Sequence, residues 1–188
     1  MKLPQKGERM LTAENTCLIV IDIQEKLLPV MQDPEQVVKN TSVLIQAAKS
    51  LSIPILWCQQ APKALGPTVG ELSSLLEDLE PINKSSFSCG GDEQFIEQID
   101  ALKPWTAILC GIETHVCVFQ TAMDLIQKGL DVHVIADATS SRTQENKDIG
   151  INRMAKEGAV ISSTEMLLFE LLRNAKHEKF RELAKLIK

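Results

Sequence analysis

The sequence predicts an α/β protein: a three-layer α-β-α sandwich around a doubly wound, mostly parallel six-stranded sheet, in one domain spanning residues 1–188. Three observations carry this. Short apolar runs alternate with helix-period segments along the whole length, the rhythm of βαβ units. Several of the runs are continuously apolar, as central strands covered on both faces must be. No repeat, low-complexity tract or Gly/Ser linker divides the chain, and at this length roughly 70% of the unfolded surface can be buried without a disulfide or metal staple.

The elements follow in order. Cys17-Leu18-Ile19-Val20-Ile21 is the first strand, ending at Asp22. Asp33 as N-cap, Pro34 at the first helical position and Gln36 placed for a capping box open a helix running to about residue 50. Residues 54–57 form the second strand, and the Pro and Gly residues of 62–70 mark a long loop. A less apolar third strand lies near 81–83, followed by a helix over 92–101. The fourth strand, 105–110, stops at Gly111, and the next helix starts close to His115. Its Val118, Ala122, Leu125 and Ile126 share one face. A fifth strand covers 132–136, a helix 147–157 and a sixth strand 159–161. Ser162-Ser163-Thr164-Glu165 is a capping-box pattern opening a Leu-rich helix. Last, Phe180, Leu183, Ala184 and Ile187 form a stripe suited to the sheet edge or to another subunit.

Composition narrows the function classes. Twenty Lys and Arg against 25 Asp and Glu give a net charge of −5, and no basic cluster interrupts that balance, so no nucleic acid and no anionic membrane surface is expected as a partner. No apolar run approaches the roughly 18 residues of a spanning helix, and residues 1–16 are polar, without a hydrophobic signal segment. Five cysteines, an odd and scattered set, suit reduced thiols in a cytoplasmic protein.

Ligands of a doubly wound sheet bind beyond the carboxyl ends of its strands. Asp22, Lys84 and Cys117 fall there, after the first, third and fourth strands. Singly, each has an ordinary structural role: Asp22 as a cap or turn residue, Lys84 as a surface lysine, Cys117 as a small buried hydrophobe. Together they form a nucleophilic set. A thiol attacks as thiolate, and a helix's first turn beside an ammonium lowers a cysteine pKa to roughly 3.5–7.5; Lys84 supplies that charge, and Asp22 accepts and returns the proton.

Three blocks resemble the isochorismatase-like cysteine hydrolases, in the family's order: Ile19-Val20-Ile21-Asp22-Ile23-Gln24, Asn83-Lys84-Ser85-Ser86-Phe87, and Leu109-Cys110-Gly111-Ile112-Glu113-Thr114-His115-Val116-Cys117-Val118. Residues 65–69 and Ser140-Ser141-Arg142 resemble most closely the small isochorismatase domain-containing members. The resemblance implies a Rossmann-like fold, a catalytic Asp22, Lys84 and Cys117, a cis peptide between Ile112 and Glu113, and an oxyanion hole from the backbone amides of Glu113 and Cys117. It implies a small-molecule substrate and a homo-oligomer, dimer or larger.

Departures matter too. Nicotinamidases of this family carry Asp-x-His after the second strand, where this chain has Trp57-Cys58-Gln59-Gln60, and there is no CxxC pair or His-x-x-x-His; no metal is expected. No cofactor is expected either, since Gly90-Gly91 and Gly66-x-x-x-Gly70 lack the lysine and context of a phosphate-binding loop. Leu27 stands where many relatives have Phe. Gln24, Leu27, Trp57, Gln60 and Thr114 are the candidate substrate-binding residues, with core or turn packing as the competing role for Gln24, Trp57 and Gln60. His115, two residues from Cys117, lies on another helix face and is read as structural or surface; His133 and His177 are read as satisfying local hydrogen bonds. Cys58 and Cys110 are packing residues, and Cys89 is a passive loop cysteine or, if its sulfur reaches Cys117, a redox partner. The leading expectation is a metal-independent cysteine hydrolase of a small amide or related C–N bond, working through a thioester. The competing ones are vinyl-ether hydrolysis and a non-catalytic scaffold of the same fold.

Overall fold

The computed structural model describes residues 11–187; residues 1–10 and 188, and with them most of the polar N-terminal stretch read as lacking a signal segment, lie outside the described residues. Six strands form one sheet: β1 (Thr16–Ile21), β2 (Ile55–Gln60), β3 (Ile82–Lys84), β4 (Thr106–Ile112), β5 (Asp131–Ser140) and β6 (Val160–Ser162). Their order is β3-β2-β1-β4-β5-β6, and every pairing is parallel. That is the doubly wound order, with its switch point between β1 and β4.

Helices cover both faces because the central strands are apolar on both. Leu18 and Val20 of β1, with Ile108 and Cys110 of β4, face one core with Leu44, Ile45 and Ala48 of α1 (Pro34–Ser50). Cys17, Ile19 and Ile21 face the other, against Phe95 and Ile99 of α4 (Glu93–Leu102), Ala122 and Leu125 of α5 (Phe119–Gln127) and Met154 of α6 (Gln144–Lys156). The loop after β2 holds two short helical turns, α2 (Pro62–Leu65) and α3 (Gly70–Ser73). Beyond β6, α7 (Thr164–Leu172) and α8 (Phe180–Leu183) complete the chain.

Several local expectations shift. Asp33 precedes α1 as expected, but its backbone is left-handed (φ 44) and its side chain makes no capping bond; a capping side chain needs the extended backbone it lacks. The cap of α7 is Ser163, which accepts from the Met166 amide, one residue beyond the predicted box. The fourth strand continues through Gly111 to Ile112, and the fifth runs on to Ser140, because Gly111 and Ile112 pair with Thr139 and Ser140 past an irregularity after Leu109. Gly111 sits at φ +125, and a Cβ there would lie 2.0 Å from the Ile21 carbonyl oxygen, so only glycine lets β4 run this close to β1. Residues of the C-terminal segment pack within the chain: Phe180, Leu183, Leu186 and Ile187 cluster with Val43 and Ala47 of α1 and Leu168 and Leu172 of α7.

Candidate active site

Strand register brings the three reactive side chains level. Ile21 pairs with both Cys58 and Gly111, and Gln60 pairs with Lys84, so the carboxyl ends of β1 to β4 lie level at one end of the sheet. Asp22 leaves β1 in the left-handed region, φ 54, a conformation aspartate tolerates better than most residues. Lys84 ends the edge strand β3, two strands away from β1. Neighbouring strands lie about 4.8 Å apart, so roughly 10 Å must be crossed, and a four-carbon stem helps to do so.

Lys84 Nζ lies 2.7 Å from Asp22 Oδ2, and both side chains are fully enclosed. The ammonium also donates to Gln60 Oε1 at 2.8 Å and to the carbonyls of Phe87 at 3.0 Å and Ser86 at 3.3 Å. Four acceptors share three protons, so the ammonium has none left over. Burial pulls the ammonium's pKa down, but the nearby charges, Asp22 foremost, outweigh it and leave it above its ordinary value. Burial pushes Asp22 upward against the opposing pull of Lys84 and of its hydrogen bonds.

Cys117 lies in a π-helical turn, Thr114–Val118, that precedes α5. The Glu113 carbonyl shapes it by accepting from Val116 and Val118, and the peptide before it, Ile112–Glu113, is cis. The Cys117 thiol interacts with the Asp22 carboxylate. Asp22 Oδ1 and Thr114 Oγ1 are buried, and neither has a hydrogen bond of ordinary geometry among the described residues.

The thiol departs from expectation. Burial pushes its pKa up to about 12, the Asp22 charge adds to this, and Lys84 opposes it only in part. The reason is geometric: Lys84 is spent on Asp22, and the turn is enclosed, leaving Cys117 7% exposed. Burial thus favours the protonated thiol at Cys117, which lies beside Asp22.

The candidate substrate-binding residues divide. Gln24 is fully buried, and its amide is used up: Nε2 donates to the carbonyls of Gln60 and Gly66, and Oε1 accepts from the Gln60 amide at 2.8 Å. Gln60 spends its side chain on Lys84 and on the Ser85 carbonyl. Trp57 is core, its Nε1 donating to Thr68 Oγ1 at 2.8 Å. Leu27 is half-buried against the same core. Thr114 alone of the five keeps a buried polar atom without a partner.

Other groups fall as follows. His115 Nδ1 bonds Ser141 Oγ at 2.9 Å, and His177 Nδ1 accepts from the Lys179 amide. His133 satisfies no local bond through Nδ1, and burial pulls its pKa down. The Cys89 thiol lies beside that of Cys58, whose pKa this neighbour and burial raise well above the ordinary range; all five cysteines are free. Glu113 is held by Arg142, whose Nε lies 3.0 Å from Oε2. Sequence reasoning missed that pair, as it missed the Cys89 amide bonded to Thr121 Oγ1 and the Ser88 hydroxyl on Asp124. Pairs some thirty residues apart leave no local signal. Among the described residues no group of three His, Cys, Asp or Glu side chains could hold a metal ion, and no helix is long and apolar enough to cross a membrane.

Comparison with known proteins gives the family. The isochorismatase domain model matches residues 16–166. Isochorismatase domain-containing protein 2 of Danio rerio is 38% identical, covering 96% of this chain and 91% of that one. The structure of the MAR1 ribonuclease from Caenorhabditis elegans superposes with a TM-score of 0.89 at 36% identity, covering 95% and 92% of the two chains. The YcaC gene product of Escherichia coli, an octameric hydrolase of unknown specificity, gives 0.89 at 26% identity, covering 95% and 89%. On a match of this extent, the chain belongs to the isochorismatase-like hydrolase family.

Proposed function

We propose that this chain is a metal-independent cysteine hydrolase that cleaves a small amide or related C–N bond through a thioester. The observation that carries it is the enclosed Asp22–Lys84 pair at 2.7 Å, with the Cys117 thiol against the carboxylate at the switch point of the sheet. The thiol is protonated at rest, so attack and proton transfer go together. Cys117 Sγ bonds the carbonyl carbon while its proton passes to Asp22, and the oxyanion is received by the amides of Glu113 and Cys117. Collapse breaks the C–N bond, and Asp22 returns the proton to the departing amine. Water then gives a proton to Asp22 and attacks the thioester, releasing the acid and restoring the Cys117 thiol. Lys84 keeps Asp22 ionised and aimed.

The Caenorhabditis neighbour is titled a ribonuclease. RNA cleavage is not our reading for this chain, because the site's lysine is spent on Asp22 and the net charge is −5. We further place the chain in a reducing cytoplasm, on its five free thiols, and in a homo-oligomer. Leu167, Leu168 and Leu172 of the Leu-rich helix are used inside the chain, but Met166 and Phe169 of α7 stay exposed, and the Escherichia coli neighbour is octameric.

The test uses p-nitrophenyl acetate as acyl donor. A burst of p-nitrophenol matching the protein concentration, with the acetyl group found on Cys117 by mass spectrometry, is expected. Cys117→Ala should lose the burst and keep the wild-type melting curve, with a panel of small amides then defining the substrate. A burst undiminished in Cys117→Ala would refute the assignment, and a chain without any burst would read as a scaffold.

A further inference from the structure

The two glutamines beside the ion pair bond in a chain. Gln24 grips the main chain of Gln60 on both sides, donating to its carbonyl at 3.0 Å and accepting from its amide at 2.8 Å. Gln60 in turn bridges the Lys84 ammonium, at 2.8 Å from Oε1, and the Ser85 carbonyl, at 2.8 Å from Nε2. The orientation of both amides is fixed by chemistry: an ammonium only donates and a carbonyl only accepts, so neither side chain can be flipped without losing bonds at both ends.

A lysine head on a four-carbon stem is a mobile point charge. Holding it on one carboxylate requires acceptors for its other protons, and the nature of these acceptors matters. The carbonyls of Ser86 and Phe87 and the amide oxygen of Gln60 are all neutral. They satisfy the remaining N–H groups without dividing the positive charge between two anions, so the field of Lys84 falls undivided on Asp22. Of these neutral acceptors, Gln60 Oε1 is the nearest and the one a side-chain substitution can change.

We propose that Gln60 is a positioning residue of the hydrolytic site: its amide oxygen turns the Lys84 ammonium onto Asp22, and Gln24 holds Gln60 in place to do so. This rests on the proposed role of Asp22 as proton acceptor for Cys117. The ionisable groups facing Asp22 and Lys84 are few. They are Cys117 from the π-turn, Cys58 from β2 and Cys89 from the segment after β3.

The test is the rate of Cys117 acetylation by p-nitrophenyl acetate across pH, compared among wild type and the variants Gln60→Glu, Gln60→Met and Asp22→Asn. Urea unfolding confirms that each variant is folded. Gln60→Glu keeps the shape and adds a competing anion, which makes Asp22 harder to ionise. The acid limb of its profile is expected to move up by about one pH unit. Gln60→Met removes the acceptor and is expected to lower the plateau rate about tenfold, a barrier increase of about 1.4 kcal/mol. Wild-type profiles in both Gln60 variants, with Asp22→Asn slow, would overturn the proposal and leave Asp22 as the base. A wild-type profile in Asp22→Asn would instead overturn the base itself, and with it any role for Gln60 in serving it.

Discussion

Replacing Lys84 with methionine leaves a carboxylate buried with its charge uncompensated. Asp22 and Lys84 have fully enclosed side chains, 2.7 Å apart, so solvent cannot take over the screening that the ammonium provides. Removing one member of such a pair destabilises by about 3–5 kcal/mol, a large share of the roughly 5–15 kcal/mol that holds a domain folded. Methionine keeps the stem's packing, which isolates the charge. The assay is urea unfolding at neutral pH, read as a lower midpoint at unchanged slope. The companion variant Asp22→Asn/Lys84→Met carries neither charge and should be more stable than Lys84→Met alone by at least about 1 kcal/mol, since the orphaned carboxylate is gone. A Lys84→Met protein within about 1 kcal/mol of wild type, or a double variant as unstable as the two single losses summed, would refute the description of this pair as a sealed ion pair.

Two further outcomes follow. Cys17, Cys110 and Cys117 are each pushed by burial from 9.0 to about 12; the folded chain keeps protons that the unfolded chain releases, so stability is full below pH 9 and falls between pH 9 and 12, by about 1.4 kcal/mol per pH unit for each thiol. Lys84, raised by its neighbours, acts in the same direction at still higher pH, and urea titrations at pH 8 and 10.5 on wild type and Cys110→Ala should show a shallower loss in the variant. Gly111→Ala places a methyl 2.0 Å from the Ile21 carbonyl oxygen at φ +125; a loss of at least about 3 kcal/mol is expected, and a melting temperature unchanged by the substitution would show that β1 and β4 can separate freely.

By itself the sequence determined the strands and which residues stand at their ends. Continuous apolar runs such as 17–21 can only be covered on both faces, and the alternation of Leu18 and Val20 with Cys17, Ile19 and Ile21 sends side chains to two cores. Local chemistry of that kind is written in consecutive residues. Asp22, Lys84 and Cys117 were legible as candidates for the same reason, since a strand end is a local feature and the motif around each resembles a family pattern. The tertiary structure alone decided what these residues touch. It spent Lys84 on Asp22 rather than on Cys117, engaged the side chains of Gln24 and Gln60 in hydrogen bonds around that lysine, and set the Cys89 thiol beside that of Cys58. Burial, set by the whole fold, raised the thiol that local helix and lysine arguments would have lowered. These contacts join residues on different strands and loops, up to 62 positions apart for Asp22 and Lys84, and a hydrogen bond depends on distance and angle in space, which the order of residues along the chain does not encode.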